Sequence, residues 1–371
     1  MRKIEFKNGM GWKKVISHIY DKSGKLNKKV LLKEKDSQGD YSVILGETDH
    51  HLCFSNSITK RTSAIYPGNI SIGIKHEFND NKKEPLTYLF SNENIKTGRV
   101  ENFELKDSKN LSYRSDYSKK ISVYIPNDYD GTTPYDVLYF FDAQNLFSNA
   151  GKYTDKGDPY GSWQLDIVLS ELHRQHGTNI IVVGIDNADE YRSHELFMNP
   201  ADFGELSVIA KNIPNDDFSK GYLDRLLSFM VNTLHNFIKE RYCIKEDNIG
   251  IGGSSMGGIA AFYCGIKELG FYKYVLSYSP AFGLYKLDAF DNYFRKLNFI
   301  KNKEILPKIH IYCGGGDSLE KMLLPSAKKM KPLMEKHGYP ENLIFETFDK
   351  RKKHNEESWR LILPESFSLL L

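Results

Sequence analysis

The chain has 371 residues, 40% hydrophobic and 27% charged, with 51 Lys and Arg set against 48 Asp and Glu for a formal charge of +3. That length holds two domains or one large one; the nearly balanced charge, with lysines scattered among acids, excludes the basic stripe of a nucleic-acid binder. No run approaches the ~20 apolar residues of a membrane span, and "MRKIEFKNGMGWKK" at the start lacks the apolar region of a signal peptide, so a cytoplasmic location is expected. Residues 1–92 read as short β segments: "KKVISHIYD", "KVLLKEKD", "YSVILGE", "HLCFSNS", "SIGIKHEF" and "PLTYLFS". Turn signals at Ser23-Gly24, Gln38-Gly39-Asp40 and Pro67-Gly68-Asn69 separate them, which predicts a small β-sandwich. The polar stretch 91–102 reads as a linker.

From residue 97 the texture changes. "KISVYIP", "YDVLYFFD", "NIIVVGID", "NIGIGG", "YVLSYSP" and "KIHIYCGGG" are almost continuously apolar, as strands buried on both faces must be. Helical patterns lie between them, in "SWQLDIVLSELHRQ", "YLDRLLSFMVNTLHNFIKERY", "MGGIAAFYCGIKEL" and "LPSAKKMKPLMEKHG". Alternating β and α segments of this kind predict a mostly parallel sheet with helices on both faces. The expected domains are therefore 1–92, all β, and 97–371, α/β. The cysteines (Cys53, Cys243, Cys264, Cys313) lie far apart with no C-x-x-C, which argues against a disulfide framework and a zinc site. No metal and no cofactor is expected.

"IGIGGSSMGGIAAF" joins a buried strand to a helix, and Gly253-Ser254-Ser255-Met256-Gly257 at the join is G-x-S-x-G. In strand–turn–helix context this is a nucleophile elbow, which lifts a serine hydroxyl above the sheet edge and turns the next amide toward the same spot. A glycine-rich turn holding phosphate at a helix N-terminus is the alternative, and Ser254 is the rival nucleophile. A serine needs a base oriented by an acid, in the chain order Ser, Asp or Glu, His. His310 sits inside the strand "KIHIYC" and His337 in the last turn of a helix before Gly338, whereas His354 lies in the polar loop "KRKKHNEESW", where a movable base belongs. Asp317 and Glu320 follow a strand end in "IYCGGGDSLE"; Asp317 comes directly after the glycine turn and is preferred, with Glu320 left open. Besides the amide of Met256, an oxyanion hole needs a second one from the loop after an earlier strand. "YFFDAQNLF" offers Gln144, with Ala143 second, and sets Asp142 beside the reacting centre, either to reach a substrate hydroxyl or to brace the loop by hydrogen bonds.

These segments together resemble the esterase D family of α/β-hydrolases, which includes enterochelin esterases, feruloyl esterases and mycolyltransferases. The resemblance runs from about residue 97 to the end, on "VYIPNDYD", "VLYFFDAQNLF", "SWQLD", "IIVVGIDNADEYRSHE", "GGSSMGG" and "HNEESW". It implies the α/β-hydrolase fold, a catalytic Ser255, His354 and Asp317, and oxyanion amides at Met256 and Gln144. It also implies a substrate rim that includes Asp142, Trp163, Arg192, Glu195 and Trp359. The chain departs from the family at Ala143, where glycine is usual, and in the irregular "GGGDSLE". The N-terminal region faintly resembles starch-binding modules, which offers Trp12, Tyr20 and Tyr41 as sugar-stacking rings, although aromatics in a sandwich are more often core; a lid over the active site, as in enterochelin esterases, is the other implied role.

The expected function is a serine carboxylic-ester hydrolase acting on a small-molecule or oligosaccharide ester, with a siderophore trilactone, or an idle hydrolase domain that only binds, as alternatives. A homodimer is left open. The four cations Lys350, Arg351, Lys352 and Lys353 before His354 read as solvated surface or as steering for anionic esters.

Overall fold

A computed structural model describes residues 2–7, 12–21, 26–33, 40–46, 48–49, 51–55, 74–77, 86–89, 98–147, 162–188, 191–211, 213 and 218–370. The N-terminal strands are β1 (Arg2–Lys7), β2 (Ile16–Tyr20), β3 (Leu26–Leu31), β4 (Asp40–Leu45), β5 (His51–Ser55), β6 (Ile74–Glu77) and β7 (Leu86–Leu89). They form one sheet in the order β4-β1-β6-β7 and a second in the order β3-β2-β5. Ile4, Val43 and Leu45 of the first sheet meet Ile19, Leu52 and Phe54 of the second in one buried cluster, a small sandwich. Trp12 and Tyr41 belong to that same cluster. Two of the three aromatics offered for sugar stacking are therefore core side chains, the commoner role for aromatics in a sandwich, and Tyr20 is half-buried.

The second part is built on an eight-stranded sheet of β8 (Arg99–Lys106), β9 (Ser118–Ile125), β10 (Tyr135–Phe141), β11 (Ile180–Ile185), β12 (Ile244–Ser254), β13 (Tyr274–Tyr278), β14 (Lys308–Cys313) and β15 (Ile344–Phe348). Its order is β15-β14-β13-β12-β10-β11-β9-β8. From β11 to β15 every neighbouring pair is parallel, while β9 runs antiparallel to β11 and β8 antiparallel to β9. Side chains alternate across each strand, so an uninterrupted apolar run feeds two cores at once. Val137, Tyr139 and Phe141 of β10 enter one core with the helical residues Leu226, Leu227, Ile259 and Phe262. Leu138 and Phe140 enter the other with Leu165, Leu169, Leu172 and Phe367. Helices thus cover both faces, as the sequence pattern predicts.

Several elements escape that pattern. β1 is absent from the expected segments, and β8 occupies the end of the expected linker. β8 is an edge strand with alternate residues exposed, so it carries no apolar run to mark it. β15, at the opposite edge, is short and holds a charge, Glu346, inside "IFETF". Residues 91–97 of the expected linker lie outside the described residues.

Candidate active site

The parallel strands end on one side of the sheet, where loops gather and where open α/β sheets place their sites. The residues next after β10, β12, β13 and β14 are Asp142, Ser255, Ser279 and Gly314. Ser255 has φ 57° and ψ −118° and leads straight into a helix, Met256–Lys267. A serine with positive φ carries on the order of 1–3 kcal/mol of strain and persists only where its surroundings enforce it. They do so by close approach: a Cβ on Gly253 would lie 2.4 Å from the carbonyl oxygen of Gly257. The turn is pinned to the next strand, since the Ser255 amide donates to the Tyr278 carbonyl at 2.9 Å and the Ala281 amide donates to the Ser255 carbonyl at 3.1 Å. Ser255 is half-buried whereas Ser254 is buried, so of the two serines the structure gives the elbow position to Ser255.

The chain just before His354 lies on the three glycines that follow β14. The amides of Gly315 and Gly316 both donate to the Lys352 carbonyl, at 3.0 and 2.7 Å, and a Cβ on Gly316 would stand 2.3 Å from the Arg351 carbonyl oxygen. The run "GGG" is therefore a seat for residues 350–352, and the seat sets where His354 projects. Its ring lies edge-on to Trp359 with centroids 4.9 Å apart, and Nδ1 is 3.2 Å from Glu320 Oε1.

The acid at the histidine ring is Glu320, and the preference for Asp317 is corrected. Asp317 caps the helix Ser318–Lys336, its Oδ1 accepting from the Glu320 amide at 2.9 Å, while its Oδ2 accepts from the His354 backbone amide at 2.8 Å. Both carboxylate oxygens are thus committed to backbone amides. Glu320 is fully buried, and Ser279 Oγ, Cys313 Sγ and the Gly314 amide also donate to it. Asp-x-x-Glu at a helix start is a helix-capping pattern, and that signal would have assigned Asp317 to the cap. Ser279, which no sequence signal marked, bridges Glu320 and the indole of Trp359, whose Nε1 donates to Ser279 Oγ at 2.9 Å.

After β10, Asp142 adopts φ 60° and opens a short turn, Ala143–Asn145. The Asn145 amide makes the first bond of that turn, to the Asp142 carbonyl at 3.3 Å, so the amides of Ala143 and Gln144 precede it, just as Met256 stands in the unbonded first turn of its helix. Gln144 Oε1 accepts from the Asn187 amide at 3.4 Å, and Asn145 Nδ2 donates to Glu356 Oε1 at 3.1 Å, two residues past His354.

The other expected rim residues are placed differently. Trp163 is 2% exposed, stacked on Trp359 at 5.4 Å and edge-on to Phe140 and Tyr278. Trp359 is likewise buried, so both indoles pack under the site rather than face a substrate. Glu195 is buried, pairs with the buried Lys119, and accepts from Tyr113 Oη at 2.7 Å, so it reaches no rim. Burial pushes the Lys119 pKa below its usual value against the pull of Glu195. Arg192 grips Asp142 with two bonds, Nε to Oδ1 at 2.7 Å and Nη2 to Oδ2 at 2.8 Å. Burial raises the Asp142 pKa, but the charge and hydrogen bonds of Arg192, with a hydrogen bond from the Asn187 side chain and the charge of Lys119, outweigh it and leave the carboxyl below its usual range. Of the four cations, Lys352 is buried and Arg351 reaches Asp349 at 3.4 Å; Lys350 and Lys353 are exposed.

Among the described residues no group of three or more His, Cys, Asp or Glu side chains is placed to hold a metal ion, and no helix is long and apolar enough to cross a membrane. A strained serine on an elbow, followed in the chain by an acid-paired histidine, is the constellation of serine hydrolases. The family model described as Putative esterase matches residues 112–368. The chain belongs to the putative esterase family. The match spans the elbow, the acid and the histidine loop, and it supports carboxylic-ester hydrolase activity. None of the curated proteins matches the sequence.

Solved structures share the fold at low identity. The BES protein from Bacillus cereus is 15% identical with a TM-score of 0.53, covering 76% of this chain and 99% of its own. The siderophore hydrolase EstA from Aspergillus nidulans is 15% identical with a TM-score of 0.51, over 72% and 94%. An IroE-like serine hydrolase from Shewanella oneidensis is 15% identical with a TM-score of 0.50, over 72% and 79%.

Proposed function

We propose that this esterase-family chain hydrolyses a polar carboxylic ester, such as an acylated carbohydrate, through an acyl-enzyme on Ser255. His354 takes the serine proton as the hydroxyl attacks the ester carbonyl, and gives it to the leaving alcohol. Water then repeats the sequence on the acyl-enzyme. Glu320 holds the imidazole with its proton on Nδ1 and balances the imidazolium that forms. The amides of Met256 and Gln144 receive the oxyanion. The observation that carries the reading is the Glu320–His354 contact, a buried carboxylate against an imidazole; Ser279, which donates to that carboxylate, follows Tyr278, whose carbonyl holds the Ser255 amide. The domain division at 1–92 and 97–371 is part of the proposal, with the N-terminal sandwich as a wall or lid.

A second substrate reading, a siderophore ester, is motivated by the fold shared with the siderophore hydrolase EstA. The test is a panel of acetylated and feruloylated sugars and a ferric tri-catecholate lactone, with wild type and Ser255→Ala side by side. Wild type should hydrolyse at least one class, and the variant should be slower by about 10⁴-fold or more. A Ser255→Ala enzyme that kept a tenth of the wild-type rate would overturn the assignment and move attention to Ser254.

A further inference from the structure

The motif "RSHE" after β11 divides into an anchor and a grip. Glu195 is the anchor: fully buried, it ties the short helix Arg192–Glu195 to Lys119 of β9 and to Tyr113. Arg192, three residues earlier, reaches the Asp142 carboxylate and takes both of its oxygens. Asp142 is held close to the chemistry. A Cβ on Gly257, the residue after Met256, would lie 3.0 Å from Asp142 Oδ2, so this carboxylate rests on the first turn of the elbow helix. It also begins the turn that carries Gln144. The two amides assigned to the oxyanion hole thus flank one carboxylate.

A carboxylate in that place opposes the chemistry. The carbonyl oxygen of the ester becomes an anion during attack, and an unpaired negative charge nearby, in a site partly closed to water, repels it. We propose that Arg192 is a positioning and charge-balancing residue for the oxyanion hole: by gripping Asp142 in two bonds it fixes the turn bearing Gln144 and cancels a charge that would otherwise oppose the oxyanion. The geometry needs a guanidinium, because a planar fork matches both carboxylate oxygens. It also gives Arg192 a task other than reading a substrate carboxylate. The positive φ of Asp142 is a conformation that a two-point hold can enforce. The inference rests on the serine-esterase reading above.

The test is a double-mutant cycle on a neutral ester, p-nitrophenyl acetate, with folding of each variant checked by thermal melting. Arg192→Met should lower kcat by about 100-fold with KM nearly unchanged, because it leaves the Asp142 charge without its guanidinium partner, held by the Asn187 side chain and the more distant Lys119. Asp142→Asn should lower it by less than about 10-fold, and the double variant Arg192→Met with Asp142→Asn should recover to within about 10-fold of wild type. Arg192→Lys, which keeps the charge, should retain more activity than Arg192→Met and serves where the latter folds poorly. A double variant no faster than Arg192→Met would overturn the charge-balancing role, as would an Arg192 effect confined to KM for anionic esters. In the same assay wild type should release a stoichiometric burst of p-nitrophenol. A burst that survives in Ser255→Ala would sink the serine reading, whereas a burst lost there with no rescue in the cycle would sink this inference alone.

Discussion

Replacing Glu320 by Gln is the sharpest probe of the site, because the partners of the carboxylate dictate what an amide must do there. Oε1 meets the Ser279 hydroxyl and His354 Nδ1, and Oε2 meets Cys313 Sγ and the Gly314 amide. Gln has one accepting end. Turning its NH₂ toward the Gly314 amide sets donor against donor in a fully buried place, at a cost of about 1–3 kcal/mol. The amide therefore keeps its oxygen on Gly314 and presents NH₂ to the imidazole. Nδ1 must then accept, the ring proton moves to Nε2, and the nitrogen meant to receive the serine proton is already occupied. In a serine triad that wrong tautomer lowers kcat by about 10⁴-fold. Asp317→Asn is the matched control: Asn is as good a helix cap as Asp, and one of the two backbone bonds survives. It should cost about 1 kcal/mol of stability and less than ~10-fold in kcat. Burst and steady-state kinetics on p-nitrophenyl acetate, with urea unfolding of both variants, separate lost catalysis from lost structure. A 10⁴-fold loss in Asp317→Asn beside a near-normal Glu320→Gln would refute the argument.

Three other expectations follow from the same geometry. His354→Ala should approach the loss in Ser255→Ala, since base and nucleophile act as a unit; if His337→Ala is the damaging change instead, the base has been misplaced, because His337 is bound to Asp291 at 3.1 Å. Gly316→Ala must push away the Arg351 carbonyl and with it the approach to His354, so kcat should fall by roughly 10- to 100-fold with the melting temperature nearly kept; unchanged kinetics would mean that the glycine seat does not set the histidine. His310, buried between Ser366 Oγ and Thr347 Oγ1, has its pKa pushed down by burial to about 3, so it stays neutral in the fold while the unfolded chain takes up a proton below ~6.5. Stability should drop as pH falls from about 6.5 toward 3, by at most ~1.4 kcal/mol per unit from this group, and His310→Gln should flatten that part of the urea-midpoint profile; an unchanged slope would show that His310 does not carry it.

How much of the site the sequence displays depends on how local its code is. Ser255 is legible because the elbow is enforced by residues within four positions of it, each glycine standing where a Cβ would strike a neighbouring group. The buried strands are legible for a similar reason, since a short run apolar at every position suits a strand packed on both faces. Glu195 is not legible: the charge that lets it be buried is Lys119, which is 76 residues away in the chain. Trp163 and Trp359 show the same limit from the other side. An indole in a motif segment suits a sugar platform and a core equally well, and only their mutual stacking in the fold decides.

The acid is the instructive case, because both candidates sit in one short segment and the choice turns on roles rather than on reach along the chain. "GGGDSLE" carries three instructions at once. The glycines clear room for the backbone of 350–352, Asp317 caps the helix and holds the His354 amide, and Glu320, one turn on, meets the imidazole. Two acids therefore hold one histidine, one by its backbone and one by its ring. A base placed by such a seat does not depend on its own loop for position, which explains how "KRKKHNEE", a stretch with little apolar content, can still present an oriented imidazole. Asp317 is thus no less tied to the histidine than Glu320. It fixes where the ring is, and Glu320 fixes which nitrogen carries the proton.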